Sequence, residues 1–273
     1  MKVPALLSQP PIWREGFIGL EMARLRRHPI FHGEGVAHGE GQPVLLIPGF
    51  LAGDDSLGTM THWLRRTGHH TRKAGIRSNV NCSEAAIGRL EERVEVLAEC
   101  HEQRVAIVGQ SRGGHFARVL AVRRPDLVSG IVTLGSPQLD PMAVHPFVKV
   151  PVIAVGALGT LGMQGLFRHS CRRGDCCERF WEDMQADFPK GVGYVSIYSR
   201  HDGIVDWHSC LDPAAECVEI RASHCGMGFS ACAYRETAAA LQQFRRRARR
   251  QRQDQRFRRA VPSCDGQHDF RHR

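Results

Sequence analysis

The segment Gly109-Gln110-Ser111-Arg112-Gly113-Gly114 follows the apolar run Val105–Val108 and precedes a helical one. A serine between a strand and a helix has to turn sharply, and glycines on either side remove side chains that would collide there. The turn lifts the hydroxyl above the sheet edge and points the next N–H groups, at a helix N-terminus, toward developing negative charge. A hydroxyl is a weak nucleophile, so the chemistry also needs a base oriented by a carboxylate. On a parallel sheet these partners follow in the order Ser, acid, His, at the ends of later strands. Tyr198-Ser199-Arg200-His201-Asp202-Gly203 closes one later strand, and the run from Val218 through His224-Cys225-Gly226 closes another. The spacing therefore nominates Ser111 as nucleophile, Asp202 as acid and His224 as base. Asp206 and Asp140 are rival acids, and His201 and His208 are less well placed. Asp202 before Gly also suits a plain turn. Two backbone N–H groups are candidate oxyanion donors: that of Arg112, just after the serine, and that of Phe50 in Ile47-Pro48-Gly49-Phe50. Phe50 equally suits a core position.

These residues need a scaffold, and the rest of the chain supplies its pattern. Val44–Ile47 reads as a short buried strand ended by Pro48-Gly49. Helices are expected near 56–67, over Glu84–Cys100 (apolar at Ala86, Ile87, Leu90, Val94 and Leu97) and over Gly113–Arg123. Further strands are expected near His70–Ile76 and over Arg104–Val108, Val128–Leu134, Val192–Tyr198 and Val218–Arg221. Strands alternating with helices, most of them apolar on both faces, indicate an α/β fold: a mostly parallel central sheet with helices on both faces. The chain divides into a lead segment (1–42), a main domain (43–244) and a basic tail (245–273). About residues 138–191 form an insertion that a minimal fold does not need. Within it Gly156, Gly159, Gly162 and Gly165 recur at every third position, which implies either close backbone packing or a mobile segment.

The chain has 273 residues, 42% apolar and 24% charged, values that exclude disorder as its dominant state. Its net charge of +9 is uneven: Arg245–Arg273 carries a balance of +8, leaving the body near neutral. That tail is expected to continue the last helix briefly, pack little against the body and contact anionic surfaces. Nucleic acid is not an expected partner, because few aromatics interleave the arginines. The uncharged stretch Val150–Phe167 contains Pro151 and four glycines, so no transmembrane segment is expected. Met1–Pro11 lacks the apolar centre of an export signal, so a cytoplasmic location with reduced thiols is expected. None of the ten cysteines forms a C-x-x-C pair, so no metal site and no cofactor are expected. Cys171, Cys176 and Cys177 share the insertion, where a disulfide is the alternative to free thiols.

The ordered motifs over about residues 43–242 (strand-Pro-Gly-Phe, G-x-S-x-G, Ser-x-x-Asp-Gly-Ile-Val and His-Cys-Gly) resemble the α/β-hydrolase superfamily, and within it bacterial lipases and esterases. The resemblance implies a serine hydrolase acting on a small-molecule or lipid ester through an acyl-enzyme on Ser111. It also implies that the apolar insertion is a cap beside the site. Pro48 stands where many relatives have a His before the Gly, and the large cation Arg112 after the nucleophile suggests an influence on substrate choice. An acyltransferase or thioesterase would use the same triad. A non-catalytic binding protein on this fold is the reading from another class, and the complete Ser-Asp-His order argues against it.

Overall fold

Alternate residues of a buried strand face opposite layers, and here both sets are apolar. Val44, Leu46 and Val108 face one side of the sheet, and Leu45, Ile47 and Ile107 the other. Helices must therefore cover both faces. The computed structural model describes residues 12–173 and 175–260. Its six strands are β1 (Pro43–Ile47), β2 (His70–Lys73), β3 (Val105–Gln110), β4 (Val128–Leu134), β5 (Gly193–Tyr198) and β6 (Glu216–Glu219). They form one sheet in the order β2-β1-β3-β4-β5-β6, with every neighbouring pair parallel. The four inner strands are almost wholly buried, whereas β2 and β6 are short, polar edges of the kind that discourage further pairing.

The α-helices are α1 (Ile18–Arg27), α2 (Gly58–Arg66), α3 (Ser83–His101), α4 (Arg112–Arg123), α5 (Pro146–Thr160), α6 (Ser170–Arg173), α7 (Glu178–Gln185) and α8 (Ala231–Ala260). Ile87, Leu90 and Val94 of α3 and Phe116 and Leu120 of α4 cover one face. Trp63 of α2 and Tyr234 and Phe244 of α8 cover the other, their Trp63 and Tyr234 rings 4.6 Å apart. The α/β-hydrolase architecture expected from the motifs is the one found. Among the described residues no helix is long and apolar enough to cross a membrane.

The insertion holds α5, α6 and α7. Of its regularly spaced glycines, two allow close packing. A Cβ on Gly156 would press on the Phe167 ring, and one on Gly159 would strike the Phe167 carbonyl. Gly162 and Gly165 instead take left-handed φ values of 98° and 80° at turns that follow α5.

Segments near both ends of the described chain pack against the main body. The lead segment is part of the main body, because Leu25 and Ile30 are buried in its core and Trp63 Nε1 donates to the Ile30 carbonyl at 2.7 Å. Past Phe244, α8 runs on to Ala260, further than the brief continuation expected. The cause is local. Gly130 and Gly193 sit side by side in β4 and β5 and leave room only for the Phe244 ring, which seats the helix on the sheet. Beyond it, Arg245 donates to the His38 carbonyl at 2.6 Å, Arg245 and Arg249 pair with Glu40, and Arg104 donates to Gln251 Oε1 at 2.7 Å. These arginines are engaged with the body itself. Residues 261–273 of the expected tail lie outside the described residues.

Arg118 of α4 is buried, donates to the Met184 and Ala186 carbonyls at the end of α7, and pairs with the equally buried Asp212. Asp212→Asn leaves this cation without a counter-charge, and breaking such a pair costs about 3–5 kcal/mol. For a chain of this size that corresponds to a Tm lower by roughly 10 °C. An unchanged melting curve would show that the two carbonyls alone satisfy Arg118.

Candidate active site

Ser111 sits between β3 and α4 with φ 51° and ψ −121°, a conformation that strongly disfavours a side chain and costs about 1–3 kcal/mol. Its surroundings enforce the turn. A Cβ on Gly109 would strike the Gly113 carbonyl, and one on Gly113 would strike the carbonyls of Ile47 and Pro48. Ser111 N donates to the Leu134 carbonyl at the end of β4, at 2.9 Å.

His224 lies in the loop after β6 and is buried. Its Nδ1 meets Asp202 Oδ2 at 2.6 Å, while Asp202 Oδ1 accepts from the N–H groups of Ile204 and Val205 at 2.8 and 2.7 Å. A carboxylate can only accept, so the proton rests on Nδ1 and Nε2 is left as the basic nitrogen. Burial alone would hold the imidazole neutral. The charge and hydrogen bond of Asp202, with the charge of Glu15 added, outweigh it and raise the pKa above the ordinary 6.5. The rival acids are occupied elsewhere: Asp206 pairs with the exposed His208, and Asp140 accepts from Met142 N. His201 and His208 are not brought to Asp202.

The loops of Ser111 and His224 are tied together, because Gln110 Nε2 donates to the His224 carbonyl at 3.1 Å. Among the described residues Ser111 Oγ makes no hydrogen bond. In ligand-free sites such bonds are often long and tighten only with substrate.

Phe50 follows β1 in a loop held by Asn79, whose Nδ2 donates to the Pro48 carbonyl at 2.8 Å. Its ring lies 6.2 Å from that of Phe167. The N–H of Arg112 is the first of α4 and so has no acceptor within the helix. The Arg112 side chain, by contrast, turns from the reacting centre. Its guanidinium donates to the Asn79 and Asn81 carbonyls, each at 2.7 Å, and to Ser83 Oγ at 3.1 Å. It also lies within 5.4 Å of the Phe116 and Phe167 ring centres. This cation holds the 79–83 loop and also forms part of the wall of the cleft at Ser111.

A cleft of about 820 Å³ opens at Ser111, walled mainly by apolar side chains that include Phe50, Met142, Val152, Phe167 and Trp181. His115 also lines it. Burial pushes its pKa down to about 4, and its Nε2–H is spent on the Pro137 carbonyl, so it stays neutral. Val148 and Val152 place one side of α5 in the wall, while Phe147, Val150 and Ile153 on the same helix are exposed.

Sequence reasoning missed two acids. Glu15 Oε1 accepts from His224 N at 2.9 Å and Gly203 N at 3.1 Å, and its Oε2 from Cys225 N at 2.9 Å. One carboxylate thus clamps the loops of both Asp202 and His224. Glu21 binds the N–H and hydroxyl of the neighbouring Ser223. The lead segment has no motif that marks either residue; the unpaired N–H groups of the two loops were the available signal.

The family model Esterase, described as "Putative esterase", matches residues 87–271, a span that contains Ser111, Asp202 and His224. Among solved structures the chain is similar to the Bacillus licheniformis lipase BlEst2 in mature form, with 12% identity and a TM-score of 0.56 over 76% of this chain and 94% of that one. The metagenomic carboxyl esterase MGS0156 is similar at 16% identity and TM-score 0.55, over 90% and 94% of the two chains. A soluble variant of monoglyceride lipase from Saccharomyces cerevisiae gives 15% identity and 0.54, over 80% and 89%. At such identities these likenesses speak for the fold, and the family match speaks for the activity. The chain belongs to the esterase family and is a carboxylic-ester hydrolase on an α/β-hydrolase scaffold.

Proposed function

We propose that the chain hydrolyses esters of apolar acyl chains through an acyl-enzyme on Ser111. The observation that carries this reading is the strained turn of Ser111 in the wall of an apolar cleft, its neighbour Gln110 bonded to the carbonyl of His224, which pairs with Asp202. Ser111 Oγ attacks the ester carbonyl while His224 Nε2 takes its proton. The N–H groups of Phe50 and Arg112 receive the oxyanion, and the imidazolium returns the proton to the leaving alcohol. Water, activated by the same nitrogen, then releases the acid. Asp202 holds the Nδ1–H tautomer and stabilises the imidazolium, and Glu15 positions both loops.

The acyl chain is assigned to the cleft beneath α5, because the wall there is aliphatic and aromatic. Labelling by a fluorophosphonate tests the nucleophile. A series of p-nitrophenyl esters tests the cleft. Val152→Trp fills part of the wall and is expected to lower kcat/KM for a medium-chain ester by about 10–100-fold relative to acetate, the range that a few methylenes lost from a pocket command. Equal losses on both esters would move the acyl chain elsewhere.

A further inference from the structure

Four sulfurs converge at the base of the cap. Cys171, Cys176 and Cys177 come from the insertion, and Cys82 arrives from the position just before α3, 95 residues away from Cys177. Their Sγ atoms all lie within 4.8 Å of one another. The shorter separations are 3.3 Å for Cys171–Cys176, 3.4 Å for Cys82–Cys177 and 3.9 Å for Cys176–Cys177. A tetrahedral ZnS₄ centre with Zn–S near 2.3 Å has edges of about 3.8 Å. The four atoms are therefore close enough together to share one metal ion at that bond length. No C-x-x-C spacing announces this set, because one ligand is remote and two are adjacent.

Backbone N–H groups face two of these sulfurs. Arg168 N donates to Cys171 Sγ at 3.3 Å. The N–H groups of Ala85 and Glu84, in the first turn of α3, face Cys82. The guanidinium of Arg112 lies nearby and, among the described residues, makes its hydrogen bonds to neutral oxygens. Disulfide sulfurs carry no charge, whereas a tetrathiolate centre presents anionic sulfur to the N–H donors and to this cation.

We propose that Cys82, Cys171, Cys176 and Cys177 form a structural site for a thiophilic divalent cation, Zn²⁺, that fastens the cap to the start of α3. Binding requires the four sulfurs as thiolates, so the protons of the thiols are released to solvent. All four positions are filled by the protein, so the ion has no place for water and does no chemistry on the ester. Its effect on the reaction is mechanical: Cys171 and Arg112 both line the cleft, and Trp181 Nε1 donates to the Cys171 carbonyl at 3.0 Å. The inference does not depend on which residue attacks the ester.

The test uses the full chain without an affinity tag. Protein grown with added zinc is expected to hold a stoichiometric equivalent of it by elemental analysis. Exchange for Co²⁺ is expected to give the visible ligand-field bands and near-ultraviolet charge-transfer band of a tetrahedral thiolate centre. Cys82→Ser and Cys171→Ser should each abolish that spectrum, while the exposed Cys232→Ser should leave it intact. If either cluster variant fails to fold, chelation of the unsubstituted chain decides: it should lower Tm and make four further thiols titratable. A reduced chain that takes up no equivalent of Zn²⁺ or Co²⁺ overturns the proposal. So does a metal spectrum that survives both cluster substitutions, or peptide mapping of the isolated chain that finds Cys82–Cys177 or Cys171–Cys176 as a disulfide.

Discussion

Ser111→Ala is expected to remove ester hydrolysis almost completely, by about 10⁶-fold in kcat, the loss produced when the nucleophile of a preorganised triad is deleted. What survives is the small rate enhancement from the oxyanion donors and from binding alone. The fold should be unharmed. The alanine retains the Cβ, so the backbone strain at φ 51° remains as it was, and Ser111 Oγ has no hydrogen bond among the described residues to lose. A melting temperature within a degree or two of the parent would therefore accompany the loss, and labelling by a fluorophosphonate would vanish with it. Retained turnover at even a hundredth of the parent rate would show that water, activated by His224, attacks directly. Retained labelling would place the nucleophile elsewhere in the chain.

How much of this arrangement could be read without coordinates depended on whether the signal was local. Ser111 stands directly after an apolar strand, Asp202 and His224 follow later strands within a few residues, and a strand end is visible as a break in its pattern. The same applies to the parallel order, because four inner strands are apolar on both faces. Contacts between remote segments left no such mark. Glu15 reaches across 209 residues to bind His224 N, yet its neighbourhood has no strong periodicity. The direction of the Arg112 side chain was equally hidden, since its acceptors are carbonyls of the 79–83 loop, which any residue type supplies. At the other end of the chain, composition suggested that α8 continues only briefly past Phe244, because the following residues are arginine-rich. The glycines that seat Phe244 and the pairing of Glu40 with Arg245 and Arg249 carry the helix onward instead.

Asp202→Asn should retain the protein and lose the enzyme. The amide oxygen can go on accepting the N–H groups of Ile204 and Val205, so the turn survives and stability changes little. The amide nitrogen, however, presents hydrogen to His224 Nδ1, which forces the ring proton onto Nε2 and leaves nothing to accept the proton of Ser111. The expected loss is about 10⁴-fold in kcat. The pH dependence separates this from a general disturbance. In the parent chain burial lowers the His224 pKa, and the charge and hydrogen bond of Asp202, helped by Glu15, raise it further than burial lowers it. His224 acts as a base only when neutral, so kcat/KM should climb with pH through a pKa above 6.5, and in Asp202→Asn that limb should move to lower pH. Stability runs the other way. A histidine whose folded pKa is raised stabilises the fold fully below its unfolded pKa, and this contribution is lost as pH rises through the folded value. The parent should therefore gain activity over the same interval in which it gives up that stabilisation, and Asp202→Asn should show neither change there. An acid limb that stays in place in Asp202→Asn would mean that some other carboxylate sets the charge of His224, and Glu15→Gln would then be the variant that moves it.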